Sequence, residues 1–343
     1  MKLEVDIKKV LRDFVLEVKF STQDEVFALL GASGCGKSMT LKTIAGIETP
    51  DSGKIILNGR ILFDSQKKIN LPPQARRVGY LFQNYALFPN MTVAENILLA
   101  AVGDESARQK KLQENLARFE LIGLENSYPH ELSGGQQQRV AFARILTSHA
   151  EILLLDEPFS ALDSFLKWRL ELELAEIFKS YGGSAVLVSH DRGESFRLAD
   201  KIAVMSAGKI DALNSKRELF KNPQTVAAAT LTGCQNISAV RKISDNEIFA
   251  EDWQINLSTA PIDAKFVGVR AHFLELADAP GENIFPAEVV REIEDISARV
   301  LMIRAKGTAG KLLRWEIPKD CRADFGGELY VKIPRDKIIL LSR

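Results

Sequence analysis

The sequence has few cysteines, no excess charge of either sign and no long apolar run. Its three cysteines, Cys35, Cys234 and Cys321, are scattered and odd in number, which argues against a disulfide framework and favours a reducing compartment. Lysine and arginine total 45, and aspartate and glutamate also total 45. Because binding to nucleic-acid phosphates usually requires a basic excess, we expect no nucleic-acid partner.

No apolar stretch approaches the roughly 18 residues of a membrane-spanning helix. The segment MKLEVDIKKV at the start of the sequence alternates apolar and polar side chains and lacks the apolar core of a signal peptide. If the protein serves a membrane, we expect it to act as a peripheral protein on the cytoplasmic face, held there by a partner. The 343 residues, 46% of them apolar, suffice for two or three domains.

Four apolar runs, separated by helical stretches and each followed by polar residues, predict a parallel β-sheet. They are Val26–Leu30, Val78–Phe82, Ile152–Leu155 and Ala185–Val188. Ligands of such sheets bind beyond the carboxyl ends of the strands. Strict alternation over residues 3–8 and 14–20 predicts a small antiparallel sheet before them.

Two further changes of pattern divide the chain. Ala94–Ala101 and Ser106–Phe119 have the apolar spacing of helices, which predicts a helical insert at about residues 85–145. After residue 232, short apolar segments between Gly, Pro and Asp predict a small β-rich domain. We therefore predict an α/β domain over residues 1–232 and a β-rich domain over residues 233–343. The segments predicted as strands in the second are Phe266–Arg270, Ala287–Ile293, Val300–Ile303, Leu312–Ile317 and Leu329–Ile333.

A glycine-rich segment directly after the first apolar run has the spacing of a phosphate-binding loop. Lys37 is expected to reach the β- and γ-phosphates of a nucleotide, and the Ser38 hydroxyl is expected to ligate Mg²⁺. The alternative is a plain glycine-rich turn between a strand and a helix. The position after a strand, where the mechanism needs the loop, favours phosphate binding. The loop consists of Gly31, Ala32, Ser33, Gly34, Cys35, Gly36, Lys37 and Ser38.

The apolar run Ile152–Leu155 is followed by two carboxylates, Asp156 and Glu157. In a nucleotide site Asp156 would hold Mg²⁺ and Glu157 would act as the general base on the attacking water. By itself a strand that ends in two acids is often only a solvated strand end. Together with the phosphate-binding loop, the pair becomes a specific signal for ATP hydrolysis.

The segment Leu132–Gln136 resembles the signature motif of ABC-type ATPases, and its extended form Tyr128–Arg139 is similar to that of the solute importers in this family. The other motifs follow in the family's order. Gln83 resembles the Q-loop, Ser160–Asp163 the D-loop, and His190 the switch histidine. The resemblance covers about residues 1–232 and implies an ABC-type P-loop ATPase that uses ATP and Mg²⁺.

This resemblance implies roles for single residues. Glu157, His190 and Gln83 would be catalytic, and Mg²⁺ would be held by Ser38, Gln83 and Asp156. In the family two subunits sandwich two ATP molecules head to tail, which implies a homodimer. One subunit then contacts the nucleotide through the phosphate-binding loop and Met39, and its twin through Ser133, Gly134, Gly135, Gln136 and Asp163. Asp163 would organise the dimer contact rather than react. Ser133–Gly135 open a helix, whose N–H groups would form this second anion site.

Several residues have an alternative interpretation. Gln83 is otherwise an ordinary amide at a strand end, and His190 a surface histidine that caps the next helix. Phe14 either stacks on adenine or belongs to the core of its strand. Cys35 is either a site of sensitivity to thiol reagents or, as we prefer, a small residue that fits a tight turn.

The segment Gln83–Asn96 is close to that of bacterial importers, where it receives a helix of the membrane subunit. This implies transmembrane permease subunits as partners and, indirectly, a periplasmic or lipoprotein solute-binding protein. Tyr85, Leu87 and Phe88 would then be exposed at the interface. The alternative is that they belong to the core of the helical insert, and we expect this of at least one of them.

The C-terminal segments are similar to the oligosaccharide-binding-type barrel that many importer ATPases carry as a regulatory domain. Arg60–Ser65, Asn70–Gln83 and Leu231–Ile237 are similar to the molybdate and sulfate branch. The implied solute is molybdate or tungstate first, and sulfate or thiosulfate second. Alternatives are a sugar, polyamine, quaternary amine or ferric ion, or a soluble ABC-type switch ATPase that acts on RNA or protein. The alternative for the C-terminal domain is a structural module that binds no ligand.

Overall fold

The computed structural model describes residues 1–148, 150–160, 164–181, 184–259, 264–296, 298–319 and 328–342, with the side chains of residues 164–166, 180 and 181 left out. These residues form two compact units, Met1–Lys216 and Arg217–Arg343. The predicted domain boundary at residues 232 and 233 falls inside the second unit and stays a prediction. Asp163 and Cys321 lie outside the described residues.

The first unit contains eleven described strands and seven described helices. The strands are β1 (Lys2–Val10), β2 (Val15–Gln23), β3 (Val26–Gly31), β4 (Ser52–Leu57), β5 (Arg60–Asp64), β6 (Ile69–Asn70), β7 (Val78–Leu81), β8 (Ile152–Asp156), β9 (Ser184–Ser189), β10 (Lys201–Ser206) and β11 (Lys209–Ser215). The helices are α1 (Lys37–Ala45), α2 (Pro73–Arg76), α3 (Val93–Leu98), α4 (Glu105–Arg118), α5 (Gly134–Thr147), α6 (Ser164–Tyr181) and α7 (Arg192–Leu198), with a 3₁₀ turn at Pro129–Glu131.

These strands form one sheet in the order β6-β5-β4-β1-β2-β11-β10-β3-β9-β8-β7. Strands β10, β3, β9, β8 and β7 run parallel, as the apolar runs predict, and β3, β8 and β9 are buried at every residue. The predicted antiparallel pair β1–β2 joins this sheet through β11. Because parallel strands end at one edge, Gly31, Asp156 and Ser189 arrive on the same side of the core.

The predicted helical insert consists of α3, α4 and α5, which pack against one another. A capping box of Thr92 and Glu95 begins α3, one residue before the predicted start. Asp104 caps α4, which buries Leu112 and Leu116 on one face, as its apolar spacing predicts.

The second unit has a predominantly antiparallel β structure. Its strands are β12 (Asn236–Ser244), β13 (Glu247–Ala250), β14 (Ile255–Ser258), β15 (Phe266–Val269), β16 (Glu275–Ala277), β17 (Ile284–Glu294), β18 (Ala298–Ala305), β19 (Leu313–Pro318), β20 (Leu329–Lys332) and β21 (Ile339–Leu341). Two short helices, α8 (Lys216–Lys221) and α9 (Val226–Leu231), precede them, and 3₁₀ turns lie at Ala271–Phe273 and Arg335–Lys337.

Two five-stranded sheets, β14-β13-β12-β15-β21 and β16-β20-β17-β18-β19, contribute to one hydrophobic cluster. Trp253 and Trp315 are buried in it, and the indole N–H of Trp315 donates to the Leu274 carbonyl at 2.8 Å. The predicted fold class, an α/β body with a helical insert and a β-rich C-terminal part, is confirmed. None of the helices in the described residues is both long and apolar enough to cross a membrane.

Candidate functional site: the carboxyl edge of the parallel strands

The phosphate-binding loop connects the buried strand β3 to helix α1. Gly36 precedes the helix with a φ of 106°, a left-handed conformation that favours glycine. Among the described residues, no side chain caps the start of α1. The first N–H groups of a helix have no partner within the helix, so those of α1 are available to an anion. An uncapped, glycine-started helix fits a bound phosphate.

Lys37 lies in the wall of this loop with 4% of its surface exposed. Its ammonium donates to the carbonyls of Gly31 at 2.8 Å and Ala32 at 2.9 Å. A buried ammonium held by two neutral carbonyls supplies a full positive charge at the entrance of α1, where the helix dipole already favours an anion. The loop therefore offers both charge and N–H donors to a phosphate.

Ser38 and Asp156 bring two oxygen ligands together beside the loop. The Ser38 hydroxyl donates to Asp156 Oδ1 at 2.6 Å, and the Tyr80 hydroxyl donates to Asp156 Oδ2 at 2.9 Å. Burial, and then the negative charge of Asp156, raises the pKa of Tyr80 above its ordinary value, so Tyr80 remains a donor. A hydroxyl beside a carboxylate is the donor set that Mg²⁺ prefers, and these residues fit that ion. The contact of Tyr80 with Asp156 was not predicted from the sequence.

Glu157 follows β8 in a left-handed conformation with a φ of 46°. Its N–H donates to the Val188 carbonyl of the neighbouring strand, and its Oε2 lies 3.2 Å from His190 Nδ1. The predicted general base and the predicted switch histidine are thus in contact. Asp191 caps α7 by accepting from the N–H groups of its first turn, so the alternative in which His190 is the cap is wrong.

Gln83 contacts this pair through a third residue. Its amide Nε2 donates to the Ser160 hydroxyl at 3.3 Å, and that hydroxyl donates to the Glu157 carbonyl at 3.1 Å. The D-loop residue Asp163 lies outside the described residues, so its predicted role stays a prediction.

The signature segment begins helix α5. Ser133 Oγ accepts from the Gln136 N–H at 3.3 Å, and Gln136 Oε1 accepts from the Ser133 N–H at 2.8 Å. Ser133 and Gly134 are exposed, whereas Gly135 is buried. In the described part of the chain, no hydrogen bond or ion pair joins residues 133–136 to residues 31–38. The two predicted phosphate-binding surfaces are thus not linked directly within one chain.

Phe14 is half-buried and lies against the phosphate-binding loop. A Cβ added at Gly36 would come within 3.3 Å of Phe14 Cε2, and Phe14 also packs against the main core. Phe14 thus lies beside the loop and against the core, and its predicted stacking on adenine stays a prediction. Met39 is likewise half-buried against the core, and burial raises the pKa of the Cys35 thiol, which disfavours a reactive thiolate.

The three apolar residues predicted at a partner interface have different exposures. Tyr85 is buried, Leu87 is half-buried, and Phe88 is 42% exposed beneath the Arg144 guanidinium. Arg144 of α5 donates to the carbonyls of residues 85 and 86, both at 2.8 Å. Asn96 of α3 is fully buried, and its side-chain amide accepts from the Phe88 N–H and donates to the Phe88 carbonyl. The loop of residues 83–91 is therefore fixed to the helical insert.

Comparison with known proteins gives one consistent family. A family model described as ABC transporter matches residues 16–160. The chain is 44% identical over 216 residues to the spermidine/putrescine import ATP-binding protein PotA of Acidothermus cellulolyticus, covering 62% of this chain and 55% of that protein. It is 38% identical over 255 residues to the Fe(3+) ions import ATP-binding protein FbpC of Haemophilus influenzae, covering 73% of this chain and 71% of that protein.

A third relative matches over a longer stretch of the chain. The sulfate/thiosulfate import ATP-binding protein CysA 2 of Chromobacterium violaceum is 36% identical over 303 residues, covering 85% of this chain and 80% of that protein. A solved dimeric structure of the ATP-binding cassette MJ0796 in a post-hydrolysis state, bound to ADP and Pi, aligns with a TM-score of 0.54 and 27% identity, covering 63% of this chain and 99% of that one. The chain spans about half the length of the spermidine/putrescine relative. It therefore belongs to the ABC transporter family of ATP-binding proteins, whose import subunits are ATPases.

Proposed function

We propose that this protein is the ATP-hydrolysing subunit of an ABC importer, in which two copies close around ATP and drive solute uptake through membrane permease subunits. One observation carries the proposal. The buried Lys37, the Ser38–Asp156 pair and the Glu157–His190 pair meet at one edge of the parallel sheet, next to the uncapped start of α1.

Each residue then has a defined task. Lys37 and the N–H groups of α1 bind the β- and γ-phosphates. Ser38 and Asp156, with Gln83, would hold Mg²⁺, which neutralises developing charge on the phosphate oxygens. Glu157 orients the attacking water and accepts its proton, while His190, beside it, contacts the γ-phosphate. The Tyr80 hydroxyl keeps Asp156 in place.

A second copy completes the site. Ser133 and the N–H groups of the exposed signature segment form a further anion-binding surface. Because this surface is not linked to Lys37 within the chain, a head-to-tail dimer would bring the two together around one nucleotide. The similarity to a dimeric cassette supports this arrangement. Hydrolysis removes the γ-phosphate that bridges the copies, and the dimer reopens.

The remaining parts of the chain follow from this role. We assign residues 1–232 to the ATPase domain, with its helical insert at about 85–145, and residues 233–343 to a regulatory β-rich domain. In this proposal the exposed Phe88 contacts a permease subunit, and the protein works on the cytoplasmic face of the membrane. A periplasmic or lipoprotein solute-binding protein would take part indirectly.

For the solute we propose an oxyanion. The match to the sulfate/thiosulfate relative extends over 85% of this chain, whereas that to the spermidine/putrescine relative extends over 62%. The proposal of molybdate or tungstate is supported only by the sequence segments that are similar to the molybdate and sulfate branch. Relatives named for polyamine and Fe(3+) import support the alternatives. The discriminating measurement is ATPase stimulation of the reconstituted transporter by molybdate, tungstate, sulfate, spermidine and Fe³⁺, each with its binding protein.

The mechanism is tested by Glu157→Gln, which keeps the size of the side chain but removes the base. We expect turnover to fall by about 100-fold or more, ATP binding to persist, and a closed dimer to accumulate with ATP in light scattering. Glu151→Gln, which precedes the other end of β8 and pairs with Arg60 at 3.1 Å, is the control and should hydrolyse ATP normally. A monomer with unchanged hydrolysis in Glu157→Gln would refute the proposal.

A further inference from the structure

Outside the nucleotide site, two charged residues of α6, two of α7 and the α7 cap Asp191 form one cluster, which we call the ionic cluster. Lys167 Nζ lies 2.6 Å from Asp191 Oδ2, 3.4 Å from Glu194 Oε2 and 4.0 Å from Glu171 Oε1. Arg197 Nε donates to Glu171 Oε2 at 2.6 Å. Glu171 and Glu194 are 2% and 4% exposed. Lys167 is therefore the cation shared by all three carboxylates.

The charges of the ionic cluster depend on Lys167. Three carboxylates face two cations, and burial raises the pKa of Glu194 to about 7. Helix α7 packs against α6, β9 and β3, and the titratable groups that act on Glu194 are Lys167, Arg197, Glu171 and Asp191, with the Ser189 hydroxyl as a donor. Removing Lys167 would leave two buried acids and Asp191 with one cation, which is costly in a buried setting.

The ionic cluster holds both chain neighbours of His190. The N–H of Asp191 donates to the Ser189 hydroxyl at 2.9 Å. One oxygen of Asp191 accepts from the N–H groups of Gly193 and Glu194 at 2.7 and 3.1 Å, and its other oxygen accepts from Lys167. The turn that carries the His190 ring to 3.2 Å from Glu157 is thus fixed by a side chain that Lys167 holds.

We propose that Lys167 is a positioning residue for ATP hydrolysis, because it holds Asp191 and thereby sets His190 against Glu157. Lys167 lies on the helix that follows the D-loop residues, so it ties that helix to the switch histidine. This inference rests on the proposed function. The competing interpretation is that Lys167 only stabilises the packing of α6 on α7.

A double-mutant cycle separates the two interpretations. We expect Lys167→Met to lower kcat about tenfold with little change in the KM for ATP, because a displaced catalytic group mainly affects turnover. In a His190→Ala background the same substitution should cost less than about twofold, since Lys167 acts through His190. Lys167→Arg should restore most of the activity. An equal loss in both backgrounds, or no loss in either, overturns the proposal.

The matched control is Lys179→Met on the same helix. Lys179 makes an ion pair of 2.7 Å with Glu176, but both side chains are 73% exposed, and exposed pairs contribute little. We expect this variant to keep the wild-type kcat. If Lys167→Met folds poorly, Asp191→Asn, which keeps the shape of the side chain that Lys167 holds, should also lower kcat with little change in the KM for ATP. An unchanged kcat in that variant overturns the proposal.

A readout that needs no turnover distinguishes this inference from the proposed function. The chain has four histidines, so the ring resonances of His190 can be followed by NMR and assigned with His190→Ala. Lys167→Met should shift these resonances, and Lys179→Met should leave them in place. A wild-type protein without ATPase activity would refute the proposed function alone. Unshifted resonances in Lys167→Met would refute the positioning role alone.

Discussion

Two helices of the first unit begin at predicted phosphate-binding segments, and they begin in opposite ways. Helix α1 starts after Gly36, and the described residues provide no side-chain cap for it. Helix α5 starts after Ser133, where Ser133 and Gln136 cap each other's N–H groups. One N-terminus is left open, and the other is capped in part by its own side chains.

The difference fits the division of nucleotide binding that we propose for the two surfaces. The described residues provide no side-chain cap for the open end of α1, and the two carbonyls that hold Lys37 leave its charge uncompensated, so this end is suited to bind phosphate alone. The capped end of α5 is already satisfied in part and keeps its shape without a ligand. It is suited to contact a nucleotide that another surface has already bound.

The largest effect should come from removing the charge at the open end. We expect Lys37→Ala to lower ATP affinity by about 100-fold, the usual loss when one partner of a buried charged contact is removed. Titration with a fluorescent ATP analogue measures this. Lys42→Ala, one turn further along α1, is the control and should bind normally. If Lys37→Ala binds as tightly as the control, α1 is not the primary site.

A smaller effect should follow from obstructing the capped end. We expect Ser133→Arg to lower turnover about tenfold or more, because the added bulk is forced into a packed interface, while a single chain still binds ATP as the wild type does. ATP-dependent dimerisation in light scattering should be lost. Normal dimerisation of this variant would remove the basis for assigning the capped end to a second nucleotide contact.

The smallest effect concerns the cap itself. Ser133→Ala removes the hydroxyl that accepts from Gln136, and we expect the free energy of unfolding to fall by about 1 kcal/mol. Urea unfolding monitored by circular dichroism measures the change. Ser148→Ala, at the opposite end of α5, is the matched control because its hydroxyl donates to the Ile145 carbonyl of the same helix. If Ser148→Ala lowers the free energy of unfolding more than Ser133→Ala does, the cap of α5 is not a distinct source of stability.

Much of the site was predictable because its residues lie at recognisable places in the sequence, at the ends of apolar runs. Gly31, Asp156 and Ser189 each follow or end an apolar run, and parallel strands bring such ends to one edge. The contact of Glu157 with His190 follows from the same rule once β8 and β9 are neighbours. Local signals also placed α3 and α4 to within about three residues of their bounds.

The contacts that were not predictable depend on which strands are neighbours. Tyr80 reaches Asp156 because β7 pairs with β8, and nothing in the residues around Tyr80 states that pairing. In the second unit, the strands β12, β13 and β14 were not predicted. Half of β12 is exposed and its pairing with β13 shifts register near Lys242, so it lacks a clean alternation of apolar residues.

The loop between Gln83 and Phe88 has a mechanical consequence. Its carbonyls are held by Arg144 of α5, and Phe88 is held by Asn96 of α3. Bending this loop would break hydrogen bonds to two helices at once, so the stretch is stiff. We therefore expect a displacement at Gln83 to move α3 and α5 together with the loop, and Phe88 to move with them.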